Sequence, residues 1–210
     1  MPTHAGPDRR GAEVGDRQVS AAPPAGAAAV SGVVTSLLGA GGVWAGLLGM
    51  FGTAPAVRIG WLLPLSGVQL DVDALGGFFM AIAGAVAVAV GAYVIGYARR
   101  GQLSRVTLTA LPLFVAAMLL VPAAGAATTF LFAWELMAVA SLVLVLAEHT
   151  RAEVRSAALV YAVMTQLGFV SILAGLVVLA AAGGADRFAD LHRIPPGTGT
   201  VVFLLTVGGF

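Results

Sequence analysis

The chain has 210 residues, of which 59% are hydrophobic and only 10% are charged, and its mean hydropathy is +0.97. A soluble domain carries about 25% charged residues, so this composition excludes an ordinary soluble protein and indicates an integral membrane chain. The net charge of +1 excludes an electrostatic nucleic-acid partner, and the absence of Cys and Lys excludes disulfides, thiol nucleophiles, Schiff-base lysines and cysteine metal sites.

Residues 1–29 predict a disordered tail, because they are rich in Pro, Gly, Ala and Arg and show no apolar period. Residues 30–210 predict an all-α polytopic membrane domain, since a helix of about 20 apolar residues crosses about 30 Å of hydrocarbon. Five complete spans and a truncated sixth are expected, at residues 30–51, 78–97, 106–122, 127–147, 157–182 and 200–210. Because the last stretch is too short to cross, we expect an N-terminal fragment of a larger subunit.

The placement of the arginines predicts the orientation of these spans. All eleven positive residues are Arg, and a cytoplasmic N-terminus puts eight of them in inside segments and three in outside segments. Short cytoplasmic loops collect positive charge, so the tail is expected to be cytoplasmic. The three outside arginines would be Arg58, Arg187 and Arg193.

Glycines inside the predicted spans recur at the spacings of small packing residues, four residues apart at Gly42 and Gly46 and seven apart at Gly84 and Gly91. Small residues let helix backbones approach closely in lipid, so these positions predict helix packing. Pro112 lies in the first turns of its span and predicts the start of a helix or a kink.

Glu135 is the one acidic residue of ten that falls inside a predicted span. It stands nine residues into the stretch 127–147, about 12 Å from the predicted outer end, close to the bilayer midplane. A charge there costs on the order of 2.5–3.5 kcal/mol, so such residues are functional candidates by default. A carboxyl group that takes up and releases a proton would serve a proton relay. The alternative is a protonated or hydrogen-bonded carboxyl that only joins neighbouring helices.

Three polar residues of the next predicted span are candidate neighbours of this carboxyl: Tyr161, Thr165 and Gln166. Gln166 lies near the middle of its span, and a water molecule could bridge Glu135 to Gln166 or Thr165. In membrane helices, Thr and Gln also form hydrogen bonds between helices without any transport role, so this alternative stays open. Trp134 is expected to pack, and His149 to lie at a cytoplasmic helix end.

The run at residues 130–141, Phe-Leu-Phe-Ala-Trp-Glu-Leu-Met-Ala-Val-Ala-Ser, resembles the glutamate helix of the antiporter-like proton-channel subunits. These are the large membrane subunits of respiratory complex I, Mrp sodium/proton antiporters and group 4 membrane-bound hydrogenases. Within them, the run most resembles hydrogenase-4 component B, also called formate hydrogenlyase subunit 3. Residues 70–79, 158–164 and 202–210 agree, so the resemblance covers about residues 30–210, and its most specific part is the Trp-Glu-Leu-Met block.

The resemblance implies redox-coupled proton translocation in a bacterial inner membrane, together with other membrane and peripheral subunits. Glu135 matches the mid-membrane glutamate of the family, which is paired with a lysine on the broken helix that follows. The chain contains no lysine, so that partner is expected beyond Phe210. Relatives often have Arg or His where Gln166 stands and an acid near Phe169, so two charges of the family pattern are missing here.

No flavin, iron–sulfur or nicotinamide site is expected, because Cys is absent and the glycines lie in predicted helices rather than in strand–turn–helix loops. Two other functions stay open. One is an Mrp-type sodium/proton antiporter subunit that uses the same glutamate for ion exchange. The other is a noncatalytic membrane scaffold, in which the glycine-rich spans only pack against partners.

Overall fold

The computed structural model describes residues 25–61, 67–97, 103–148, 151–191 and 194–210. These ranges contain six α-helices and one two-stranded antiparallel sheet. Two short 3-10 helices, Leu146–Glu148 and Phe188–Asp190, lie in the connections. In chain order, the elements are α1 (Ala25–Met50), β1 (Val57–Ile59), β2 (Val68–Leu70), α2 (Ala74–Tyr97), α3 (Arg105–Leu120), α4 (Ala127–Val145), α5 (Ala152–Gly183) and α6 (Pro196–Gly209).

Four helices of the described chain, α1, α2, α4 and α5, are long and apolar enough to cross a membrane. The prediction of a mostly helical, multi-pass membrane protein is therefore supported. The predicted count of five complete spans is not supported, because the stretch 106–122 forms α3, a helix of 16 residues. At 1.5 Å per residue, α3 is about 24 Å long, which is shorter than the hydrocarbon layer.

The bounds of α3 follow from a cap at its start and a turn at its end. The Ser104 hydroxyl accepts a hydrogen bond from the Thr107 backbone N–H at 3.0 Å, which fixes the start of the helix at Arg105. A turn that contains Pro122 follows its last residue. By contrast, α6 has 14 residues and begins at Pro196, four residues earlier than predicted, because proline suits the first turn of a helix.

The first helix begins before the predicted end of the tail. Residues 25–29 belong to α1, and residues 1–24 of the predicted tail lie outside the described residues. Helices α2 and α5 also begin before the predicted stretches, at Ala74 and Ala152. The α5 extension carries Glu153 and Arg155, charged residues that hydropathy assigns to a loop.

Helices α1 and α2 pack through three pairs of facing glycines, which are spaced seven residues apart on each helix. The pairs are Gly32 with Gly91, Gly39 with Gly84, and Gly46 with Gly77. A Cβ atom added at Gly39 would lie 2.6 Å from the Gly84 carbonyl oxygen and 2.7 Å from the Val88 backbone nitrogen. The two backbones therefore touch, which confirms that Gly46, Gly84 and Gly91 are packing residues.

Helix α3 packs on α1 through one further glycine and one buried hydrogen bond. A Cβ atom at Gly42 would lie 2.7 Å from a methyl group of Leu119. Pro112 lies inside α3 rather than at its start, and a proline has no N–H to donate to the carbonyl four residues earlier. The buried Ser31 hydroxyl donates to that carbonyl, on Leu108, at 2.6 Å, so the hydrogen bond that the proline removes is replaced from α1.

The strands and two loops form a small hydrogen-bonded layer at one end of the bundle, here called the hairpin end. Strands β1 and β2 pair in the register Val57↔Leu70 and Ile59↔Val68. On the other side of β2, Leu70 pairs with Ala124, and Ala126 in turn pairs with Arg187. The layer therefore joins the connections before α2, before α4 and after α5.

The contact between α1 and α2 predicts a specific loss of stability. Gly39→Ala should lower the free energy of unfolding by about 1–3 kcal/mol, because the added methyl group meets backbone atoms that cannot move independently. Unfolding of the purified chain in mixed micelles, followed by circular dichroism, would measure this change. Gly41→Ala is the matched control, since nothing lies within 4 Å of its Cβ position. Equal effects of the two substitutions would contradict backbone contact at Gly39.

Candidate functional site

The predicted mid-membrane carboxyl lies at the contact between α4 and α5. Glu135 is the ninth residue of the 19-residue helix α4, and its side chain is half-buried. The Gln166 side-chain amide nitrogen on α5 donates a hydrogen bond to Glu135 Oε1 at 2.8 Å. Glu135 Oε2 is buried and has no hydrogen-bond partner among the described residues. One oxygen of the carboxyl is thus bonded to a neutral donor, and the other is desolvated.

Of the three predicted neighbours, only Gln166 contacts this carboxyl. The Thr165 hydroxyl donates to the Tyr161 backbone carbonyl of its own helix at 2.7 Å. The Tyr161 hydroxyl lies 2.5 Å from the Ser141 hydroxyl on α4, which makes a second hydrogen bond between the two helices. The structure therefore assigns Tyr161 and Thr165 to other contacts, and it adds Ser141, a residue that the sequence reasoning did not single out as part of the site.

Trp134, next to the carboxyl in sequence, connects α4 to the end of α6. Its ring stacks on Phe130 with the ring centres 5.9 Å apart, and it meets Phe210 edge-on at 4.8 Å. The indole nitrogen of Trp134 is buried and has no hydrogen-bond partner among the described residues. Trp134 packs, as predicted, while His149 lies outside the described residues.

A cleft of about 460 Å³ lies between α4, α5 and the end of α6. Its lining includes Trp134, Tyr161, Thr165 and Gly209, and Glu135 is not one of the lining residues. The floor of the cleft is narrow because Gly168 and Gly209 touch, so that a Cβ atom at Gly209 would lie 2.6 Å from the Gly168 carbonyl oxygen. The Glu135 side chain is therefore not part of the wall of this cleft.

The start of α4 is held by a residue that is 58 positions away in sequence. Ala126 precedes the helix and supplies no side-chain cap. Instead, the Ala127 backbone N–H donates to the Asp186 carbonyl at 3.0 Å, and the Thr128 backbone N–H and hydroxyl donate to the Asp186 carboxylate at 3.1 Å and 2.7 Å. A carboxylate at this end also complements the helix dipole. Asp186 thereby fixes the start of the helix that carries Glu135.

The hydrogen bond from Gln166 leaves the charge of the carboxyl free to change. An amide N–H can donate to a carboxyl oxygen in either protonation state, since the donor itself carries no charge. The described residues contain no group of three or more metal-binding side chains, and Glu135 forms no ion pair among them. Among the described residues, the carboxyl is therefore held at this position of α4 by a neutral donor rather than by a salt bridge.

Comparison with known proteins agrees with this arrangement. Residues 124–209, which include α4, α5 and α6, match the family model for the transmembrane region of NADH:quinone oxidoreductase and Mrp antiporter subunits. These findings support the antiporter-like family. Both Glu135 and Gln166 lie within the matched segment. The more specific resemblance to hydrogenase-4 component B is not decided by this match.

Similar proteins and structures extend the comparison beyond the matched segment. Two uncharacterised proteins from Mycobacterium tuberculosis, of strains CDC 1551 and H37Rv, are each 65% identical over 192 residues, or 91% of this chain. The chain spans 29% of the length of these relatives. A subunit of the membrane-bound sulfane sulfur reductase, an archaeal respiratory membrane complex, aligns with a TM-score of 0.63 at 18% identity, over 85% of this chain and 37% of the other. At that identity, the likeness concerns the fold alone.

The contact between Glu135 and Gln166 predicts a measurable coupling. In a double-mutant cycle with Glu135→Leu and Gln166→Leu, the coupling energy should be about 0.6 kcal/mol, and at most about 1.7 kcal/mol, the range of interhelical hydrogen bonds in membranes. Unfolding in lipid–detergent bicelles would measure it. The matched control is the cycle with Thr165→Val, whose hydroxyl bonds within its own helix. A coupling as small as that of the control would contradict the Glu135–Gln166 hydrogen bond.

The Asp186 contact predicts that a loop substitution weakens α4. Asp186→Ala should cost about 0.5–2 kcal/mol of unfolding free energy, the usual cost of losing a helix cap. Hydrogen exchange at the amides of Ala127 and Thr128 would show faster exchange at this end of α4 alone. Asp71→Ala is the control, because the Asp71 carboxylate forms no hydrogen bond with the described residues. Unchanged exchange at both amides would show that Asp186 does not cap the helix.

Proposed function

We propose that this chain is part of a proton-translocating membrane subunit of a redox-driven respiratory complex, in which Glu135 carries protons. The observation that supports this most directly is the Glu135 carboxyl itself. It lies in the middle of an apolar helix, with one oxygen bonded to a neutral amide and the other buried without a described partner. A carboxyl in that environment costs stability, and a hydrogen bond between helices could be made by residues that carry no charge.

The family match supports the same assignment, because it covers the three helices that form the site. The structural likeness to a subunit of an archaeal respiratory complex supports an assembly with other subunits. On the sequence resemblance in the Trp134–Glu135 block, we assign the subunit to the hydrogenase-4 and formate hydrogenlyase type. Its partners would then be the other membrane subunits and the peripheral redox subunits.

The proposed subunit crosses a bacterial inner membrane with its N-terminus in the cytoplasm. The placement of the arginines supports this orientation, since Arg105, Arg151 and Arg155 lie at the end of the bundle opposite the hairpin end. In this arrangement, α3 completes a fifth crossing together with its flanking turns. Its hydrogen bond from Ser31 and its contact with Gly42 support this crossing, because both join α3 to α1, a helix long enough to span a membrane.

In the complete complex, Glu135→Gln should abolish proton pumping and leave electron transfer partly intact. The amide keeps the shape and the hydrogen bonds of the side chain but cannot exchange a proton. Pumping would be measured by fluorescence quenching in inverted membrane vesicles, and electron transfer by substrate-dependent acceptor reduction in the same vesicles. Undiminished pumping would refute the proposal.

The matched control is Glu153→Gln, which makes the same chemical change at a side chain on the surface of the first turn of α5. Its carboxylate is 90% exposed and pairs with Arg151 at 3.7 Å, so pumping should be unaffected. An equal loss of pumping in both variants would indicate a general effect on the subunit rather than a role of Glu135.

Two other functions give different results in the same vesicles. An Mrp-type sodium/proton antiporter subunit is a second candidate, because the matching family model includes Mrp antiporters. It would use Glu135 for ion exchange, and an imposed sodium gradient would then drive proton movement that Glu135→Gln abolishes. A noncatalytic scaffold would instead tolerate Glu135→Leu and would become more stable, since the substitution removes a buried carboxyl.

A further inference from the structure

A long apolar groove runs along the surface formed by α1 and α3 and ends at the strands. It has a volume of about 750 Å³, and its lining is almost entirely apolar. On α1, the lining runs from Val34 to Leu48, which is about 21 Å at 1.5 Å per residue. This exceeds the thickness of one hydrocarbon leaflet, about 15 Å. The groove is open because Gly41 has no side chain and nothing lies within 4 Å of its Cβ position.

A small polar pocket adjoins the groove at the hairpin end. It has a volume of about 130 Å³ and is lined by two arginines, Arg58 and Arg187, and by the carboxylate residue Asp71. Val57 and Leu70, which face each other across the strand pair, line both the pocket and the groove. The two cavities therefore meet at this strand pair, and charged residues line only the smaller one.

The two arginines of the pocket differ in their partners. Arg187 forms an ion pair with Asp190 at 3.6 Å. The Arg58 guanidinium is exposed and forms no ion pair or side-chain hydrogen bond with the described residues. A guanidinium with five N–H donors suits a phosphate group, to which it can donate two parallel hydrogen bonds.

We propose that this groove binds one phospholipid, with an acyl chain along α1 and α3 and the phosphate at Arg58. A phospholipid has a charged headgroup at one end and apolar acyl chains at the other. The two cavities match that arrangement, because Arg58 lies at the end of the bundle and the apolar groove runs from there toward the middle of the bundle. A transmembrane helix from a partner subunit would fill the groove as well, but it would leave Arg58 without an anion. This inference is independent of the proton-carrying role of Glu135.

A photoactivatable lipid tests the proposal. The purified chain would be reconstituted in phosphatidylcholine vesicles that contain a fraction of phosphatidylglycerol with a diazirine in its acyl chain. After irradiation, peptide mapping should place the crosslinks mainly at residues 34–48 of α1 and at residues 116–123. Crosslinks spread evenly over the exposed faces of α1, α2 and α5 would overturn the proposal.

Two substitutions address the two halves of the site. Arg58→Gln should lower the crosslinking at the groove about fivefold, by removing the phosphate contact. Gly41→Leu should also lower it, because the new side chain enters the groove without meeting protein atoms. Their matched controls are Arg151→Gln, at the opposite end of the bundle, and Gly96→Leu, where the Cβ position is also open. Crosslinking that is unchanged in Arg58→Gln and Gly41→Leu would overturn the site.

A photoreactive residue at position 45 in native membranes separates the lipid from a protein partner. Ala45 lies in the groove, and its crosslinks should be to phospholipid. Crosslinks to a polypeptide would show that a partner helix occupies the groove and would overturn the proposal. Helical content measured by circular dichroism would verify that all variants are folded before they are compared.

Discussion

Hydrocarbon offers no hydrogen bonds, and this constraint governs the polar contacts of the bundle. Within a helix, almost all backbone N–H and C=O groups form hydrogen bonds with one another. Where a residue interrupts these hydrogen bonds, a neighbouring helix has to supply the missing partner. Pro112 frees the Leu108 carbonyl, and the Ser31 hydroxyl of α1 donates to it. Glu135 brings a carboxyl into an apolar helix, and Gln166 of α5 donates to that group. In both cases, a polar side chain of a neighbouring helix supplies the hydrogen-bond donor.

The two halves of the described bundle are held together by different means. Helices α1 and α2 meet backbone to backbone at glycines, so their separation is fixed by atoms that cannot change conformation. Helices α4 and α5 are joined instead by side-chain hydrogen bonds, between Glu135 and Gln166 and between Ser141 and Tyr161. Side chains can exchange partners while the helices stay in place. The α4–α5 contact, which lies in the segment that matches the antiporter-like family, therefore depends on side-chain hydrogen bonds.

The sequence predicted that Gln166 lies next to Glu135, because both positions follow from counting residues along regular helices. The sequence could not exclude Tyr161 as a contact of Glu135. The direction in which that side chain points depends on the rotation of α5 about its axis. Five residues separate Tyr161 from Gln166, which turns one side chain about 140° from the other. The cap by Asp186 was also beyond sequence reasoning, because it depends on how the loop after α5 returns to α4. Hydropathy placed both ends of α3 within two residues, and the error was to count a helix of this length as a complete span.

Gln166 carries no charge, so its hydrogen bond to Glu135 does not favour the ionised carboxylate as a cation would. A cation at this position would favour the ionised carboxylate and would resist its protonation, whereas the amide can donate to Oε1 in both states. The contact between α4 and α5 can then persist while the charge changes. The other oxygen, Oε2, is buried and has no hydrogen-bond partner among the described residues. In the proton-carrying role proposed for Glu135, Oε2 is therefore the oxygen that no described donor occupies.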